Sequence, residues 1–396
     1  MVMPDQFLLK PLPSIRFGAG SIATLPEIAA SHGTRCLIIT GSGFLKRAHQ
    51  WPPVEKHLLE AGCNLFYASI SGEPTPDIID GIVDAFRPRQ IEVVIAIGGG
   101  SVVDGGKAVS AMLPDGEPVA WYLEGVGSRK PTGKKLPFIA MPTTAGTGSE
   151  TTANAVVTRP GADGFKISLR HDRYVPDHAV VDPDLMRTCP PEQTASCAMD
   201  AFTQLVEGYL SSNSSQITDT LAWEGLKNVQ RSLLAVFIDG DDIDARTDMA
   251  FASLCSGITL ANAGLGVVHG LAPPLGSLFS ISHGVVCGTL MASANRATLE
   301  RLHGAADENP AAWESVLQKY ARLERLFCAH SAGDDHPGMR FVEYLDDLAG
   351  KLAMPRLSRF GVSVEHLDEI VAGSSNKNNP IRLDDQALRA IVSERL

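Results

Sequence analysis

Residues 93–112 read VVIAIGGGSVVDGGKAVSAM. Five apolar residues, Val93 to Ile97, predict a buried strand. Three glycines follow, and Ser101 opens a helical pattern. A strand, a glycine loop and a helix start leave backbone N–H groups free at a helix N-terminus. Those donors, with the helix dipole, favour a diphosphate. Gly98, Gly99 and Gly100 carry no side chain, so a ligand can approach the backbone closely. Ser101 and Asp104 also match an S-x-x-D capping box, so a tight turn into an ordinary helix is the competing reading.

Outward from this stretch, apolar runs at 36–40, 65–70, 137–141, 155–158 and 178–181 predict further strands. Helical patterns at 54–61 and 78–86 lie between the early ones. The alternation predicts βαβ units and a mostly parallel sheet, with ligands at the strand ends. After Asp182-Pro183 the helical patterns are long, at 191–210, 215–236, 244–264, 309–329, 339–352 and 385–395. Residues 303–313 and 330–339 read as polar loops. The expected fold is an α/β N-terminal domain, 1–183, followed by an all-α C-terminal domain, 184–396.

The 396-residue chain has a net charge of −11 and no Lys/Arg cluster, which argues against a nucleic-acid partner. Seven cysteines, at 36, 63, 189, 197, 255, 287 and 328, form no C-x-x-C pair. A reducing cytoplasm is expected, and the N-terminal residues lack the pattern of a signal peptide. Residues 249–295 contain no Asp, Glu, Lys or Arg. Pro273, Pro274, glycines and two histidines interrupt that run, so a buried helix pair is expected there and not a membrane span.

Two further constellations offer chemistry. The loop PTTAGTGSE, 142–150, places four hydroxyls, those of Thr143, Thr144, Thr147 and Ser149, among two glycines. It suits phosphates and ribose, or else satisfies its own backbone. Asp200 and Gln204 stand at i and i+4, on one face of a helix, while His269 and His283 lie in the uncharged run. A divalent cation held by these four would satisfy a carboxylate that is costly to bury alone. Core histidines bonded to backbone are the plainer alternative.

The chain resembles the iron-containing (group III) alcohol dehydrogenase family over nearly its whole length. The resemblance rests on GGGSVVDGGK at 98–107, MPTTAGTGSE at 141–150, VDPDL at 181–185, AMDAFTQLVEGYLS at 198–211, and NAGLGVVHG with SHGVV within 262–286. Dehydroquinate synthase and glycerol dehydrogenase are similar in fold. The resemblance implies a dinucleotide-binding α/β domain, a helical domain carrying metal and substrate, and an active site in the cleft between them. It implies an enzyme, a homodimer or higher homo-oligomer, that interconverts an alcohol with an aldehyde or ketone. The family's metal is held by one Asp and three His. Asp200, His269 and His283 match three of those positions, Gln204 stands at the fourth, and Pro273 replaces a further histidine. A neutral amide is a poorer donor to Fe2+ or Zn2+ than imidazole. Weak binding, a different ion, or no ion at all are therefore open.

Gly41, Ser42, Gly98, Gly99, Gly100, Ser101, Thr143, Thr144 and Thr147 are the expected cofactor-binding positions. Asp104 is expected to cap its helix and to face the nicotinamide ribose. Lys166 matches a lysine near the family's cofactor, or is a solvated loop residue, and Lys107 reads as a surface lysine. NAD(P)H is implied. NADP(H) is favoured over NAD(H) because 41–43, Gly-Ser-Gly, carries no carboxylate, and Lys46 and Arg47 follow. The competing functions are a metal-independent maleylacetate-type or oxoacid reductase, using Arg170, His171 or Arg173, and a dinucleotide-binding protein without activity.

Overall fold

A computed structural model describes residues 6–44, 48–159, 164–328 and 337–396. Lys46 and Arg47 lie outside the described residues. Six strands form one parallel sheet: β1 (Ser14–Phe17), β2 (Arg35–Gly41), β3 (Asn64–Ile70), β4 (Val93–Gly98), β5 (Phe138–Pro142) and, last in sequence, β8 (His178–Val181). Their order is β1-β8-β5-β4-β2-β3, with Ile38 opposite both Tyr67 and Ile95, and Ile95 opposite Ile139. Strands β6 (Asn154–Arg159) and β7 (Phe165–Arg170) form a separate antiparallel pair. Helices α1 (Leu25–His32), α2 (Trp51–Glu60), α3 (Pro76–Phe86) and α4 (Gly100–Asp115) connect the early strands.

Strand β4 is apolar throughout because it is covered on both faces. Val94 and Ala96 pack with Val103 and Met112 on one side, and Val93, Ile95 and Ile97 pack with Leu25, Trp51 and Leu58 on the other. The chain leaves β2 toward one edge and β4 returns on its other flank. The C-terminal ends of β2 and β4 thus form a switch point, where open α/β sheets bind ligands.

From Pro191 onward the described residues hold only helices and turns: α5 (Pro191–Leu210), α6 (Gln216–Ile238), α7 (Ile243–Ala263), α8 (Val267–Phe279), α9 (His283–Glu308), α10 (Pro310–Phe327), α11 (Met339–Lys351), α12 (Leu367–Ala372) and α13 (Asp385–Ser393), with short 3-10 turns. Helix α5 runs through the middle of this half and is buried from Ala198 to Leu210. The uncharged run is not one helix pair. It spans parts of three helices, broken at Gly264 (φ 73°) and Ser280 (φ 52°). The first two are bent by 100°, and no single described helix is long and apolar enough to cross a membrane. Residues 303–308 continue α9 and 310–313 open α10, so the loop expected at 303–313 shrinks to Asn309. All seven cysteines are free thiols.

Helix α4 lies directly on the sheet at Gly106, where an added Cβ would sit 2.6 Å from Ala96 Cβ. Gly106→Val is expected to lower the unfolding free energy by about 1–3 kcal/mol in urea titration, as overpacked cores do. An unchanged midpoint would contradict this close packing.

Candidate active site

A cleft of about 760 Å³ has the size of a cofactor or substrate pocket. Gly41 and Ser42 from the end of β2, and Gly98, Gly99, Gly100 and Ser101 from the turn into α4, line its floor. Thr143, Thr144 and Thr147 from the loop after β5 stand beside them. The opposite wall comes from the helical half and includes Cys197, Asp200, Gly276 and His283.

Helix α4 starts at Gly100 with Gly99 as its N-cap, and no side chain caps it. The expected capping box is therefore absent. Its first turn has no side-chain acceptor, and Gly100 and Ser101 line the cleft floor, as an anion site requires. The glycines are required for space and not for an unusual φ. A Cβ on Gly100 would lie 2.6 Å from Thr147 Cγ2, and one on Gly98 2.6 Å from Val102 Cβ. The glycine loop and the threonine loop pack as one surface.

Asp104 does not line the cleft. Its carboxylate accepts from Ser149 Oγ and from the Val156 N–H at 3.0 Å, tying α4 to the loop after β5 and to β6. Lys107 is not at the surface but 1% exposed. Its Nζ donates to Ser149 O (2.9 Å), Ser149 Oγ (3.2 Å), Thr152 Oγ1 (3.1 Å) and Asn154 O (2.7 Å). Burial pulls its pKa down to about 8 against the opposing pull of Asp104 and Glu150. Lys166 stands on β7, lines the cleft, and pairs with Glu73 at 2.9 Å, so it is not a solvated loop residue. Arg170 pairs with Glu124, and Arg170, His171 and Arg173 do not line the cleft.

At the helical wall, Asp200 is 2% exposed and sits between two imidazoles. Its Oδ1 lies 3.4 Å from His269 Nε2 and 3.6 Å from His283 Nε2. Burial raises its pKa, but the two histidines outweigh burial and hold it below the usual carboxylate range. His269 is in the first turn of α8 and His283 is the first residue of α9, so two helix starts converge on one carboxylate. Glu207, two turns along α5 from Asp200, fixes His269: its Oε2 lies 2.6 Å from Nδ1, and its Oε1 accepts the Val268 N–H at 2.7 Å. The pairing directs Nε2 of His269 toward Asp200. Burial opposes charge on His269, yet Cys287, Glu207 and Asp200 raise its pKa well above the usual imidazole value. His283, with the Asp200 charge opposing, is pushed by burial down to about 4.

One carboxylate oxygen, two imidazole nitrogens and Cys287 Sγ lie within 4.8 Å of one another, a donor set that fits a divalent cation. Gln204, one turn along α5, is buried, and its amide oxygen accepts from Ser256 Oγ at 2.8 Å. Sequence reasoning missed Cys287, Glu207 and the burial of Lys107. The first two carried a signal: Cys287 is at i+4 from His283 and Glu207 at i+7 from Asp200, each on the same helix face.

Comparisons with known proteins agree across the chain. Residues 13–183 match the profile of the iron-containing alcohol dehydrogenases, and 194–396 match the C-terminal part of the same family. Long-chain-alcohol dehydrogenase 1 of Geobacillus thermodenitrificans is 35% identical over 98% of this chain and 95% of its own. Alcohol dehydrogenase 4 of Saccharomyces cerevisiae is 33% identical over 96% and 95%. The solved structure of sulfoacetaldehyde reductase from Bifidobacterium kashiwanohense in complex with NAD+ superposes with a TM-score of 0.83, at 26% identity and 99% coverage of each chain.

Lys107→Met is expected to lower stability by about 2–4 kcal/mol, because it leaves buried acceptors without their donor and Asp104 without its counter-charge. A surface lysine would change the unfolding free energy by no more than about 0.5 kcal/mol in urea titration, and that result would contradict the buried hub.

Proposed function

The chain belongs to the iron-containing alcohol dehydrogenase family and is an oxidoreductase acting between alcohols and aldehydes; we propose that it does so with NAD(P)(H) and a divalent cation. The observation that carries this reading is the cleft itself. Its floor is the strand-end glycine loop at the sheet's switch point, and its far wall presents Asp200 and His283.

In this reading, residues 1–183 bind the dinucleotide and 184–396 hold the cation and the substrate. The uncapped start of α4 receives the diphosphate, with Gly98, Gly99 and Gly100 allowing close approach. Thr143, Thr144 and Thr147 offer hydroxyls to the phosphates and ribose, and Lys166 steadies the cofactor's side of the cleft through Glu73. Asp200, His269 and His283 are the cation ligands. Glu207 holds His269 in the tautomer that presents Nε2. When bound, the cation supplies Lewis-acid polarisation of a carbonyl oxygen and the nicotinamide supplies or accepts hydride. The protein's part is positioning: the two walls bring the reacting groups to close approach and keep bulk water from the deep end of the cleft. Gly41 and Ser42 present no carboxylate to the cofactor's adenosine end, which favours NADP(H).

Arg170, His171 and Arg173, the residues a metal-independent oxoacid reductase would use, do not line this cleft and so do not favour that alternative.

Purified protein given a panel of short and long aldehydes should oxidise NADPH with higher kcat/KM than NADH, and chelation should abolish turnover reversibly. Chelator-resistant turnover would contradict the cation's role, and a preference for NADH would contradict the cofactor reading. Glu207→Gln should weaken metal affinity about 10–100-fold, as loss of a partner behind a ligating histidine does. Unchanged affinity would remove Glu207 from the positioning role.

A further inference from the structure

We propose that Cys287, as a thiolate, supplies the fourth protein ligand of this cation in place of Gln204, and that the site therefore takes zinc in preference to ferrous iron. The proposal rests on the metal reading above and goes beyond it by naming a donor and an ion.

Three observations support it. The first is geometry. Zinc bonds of about 2.0–2.1 Å to N or O and about 2.3 Å to S give a tetrahedron with edges of roughly 3.3 Å between N and O and roughly 3.6 Å from S to N. The observed separations are 3.4 and 3.6 Å from Asp200 Oδ1 to the two imidazoles. They are 3.6 and 3.7 Å from Cys287 Sγ to His269 Nε2 and His283 Nε2. These four of the six edges are close to those the ion requires, and the other two are within 4.8 Å. The second is the state of Gln204. Its amide oxygen is already an acceptor for Ser256, which also bonds to Ser253 O within α7, so the amide is held by the neighbouring helix. The third is donor strength. A thiolate is a soft anionic donor that binds zinc better than a neutral amide oxygen does.

The arrangement also keeps the site accessible. His269 and Cys287 are buried while Asp200 and His283 line the cleft, so a substrate oxygen would enter as a fifth donor from the cleft side, the expansion that catalytic zinc sites undergo. Binding releases the thiol proton to solvent: Cys–SH and M2+ give Cys–S–M+ and H+. Thiolate ligation selects zinc over harder or less competitive ions such as ferrous iron.

The test is spectroscopic. Full-length protein stripped by chelator and reloaded with cobalt(II) should hold one cobalt per chain and show a thiolate-to-cobalt charge-transfer band in the near ultraviolet. The band should vanish in Cys287→Ser and persist in Cys197→Ser and Gln204→Ala. Cys287→Ser should also bind zinc at least about 10-fold more weakly. X-ray absorption on the zinc-loaded wild-type protein requires no variant and should show one sulfur at about 2.3 Å. One ion per chain without a sulfur scatterer, or with a band that survives Cys287→Ser, overturns the thiolate and leaves the metal reading standing. A wild-type protein that takes up no cobalt or zinc overturns both.

Discussion

A carboxylate buried in an uncharged helical core needs positive charge beside it, and Asp200 is such a carboxylate. The sequence around it supplies no Lys or Arg between 249 and 295. What it supplies are two imidazoles, His269, whose pKa is raised, and His283, which burial keeps neutral, delivered by two helix starts beside α5. The breaks at Gly264 and Ser280 are therefore not incidental. They turn the run so that His269 lies in the first turn of α8 and His283 opens α9, both beside Asp200.

The sheet imposes the complementary constraint. Because β4 crosses to the other flank of β2, the ends of those two strands open where the helical half faces them. The glycine turn and the threonine loop are fused by the contact of Gly100 with Thr147, and the buried Lys107–Asp104–Ser149 network locks that surface from below. Such a network is stable only when every member is satisfied. Its role is positional: it fixes the floor of the cleft relative to β6 and α4 while leaving the first turn of α4 free for a ligand.

Much of the fold was legible in the sequence where one physical pattern dominated. The run at 93–97 could only be a two-sided buried strand, and Pro190-Pro191 marked the start of α5 correctly. Short elements of mixed polarity were not legible. SIRF in β1 and FKISLR in β7 are half-exposed, so their pattern carries little signal. The polar stretch at 303–313 looked like a loop because the end of α9 and the start of α10 are solvent-facing helix, and a polar helix and a polar loop share a composition. The chemical groups divided in the same way. Asp200, His269 and His283 stood out as polar residues in apolar surroundings, but Cys287 in the same run reads as a small hydrophobe. Lys107 was misread because a lysine on a helix is usually solvated, and only the fold shows four oxygens around its amine.

Elemental analysis bears most directly on the central claim, that Asp200 and its histidines hold a cation. It should compare wild-type protein with Asp200→Asn, each made without a metal-affinity tag and incubated with zinc and ferrous iron before desalting. Close to one metal ion per wild-type chain, lost in Asp200→Asn, is the predicted result. A wild-type protein that remains metal-free after both ions are offered would contradict it.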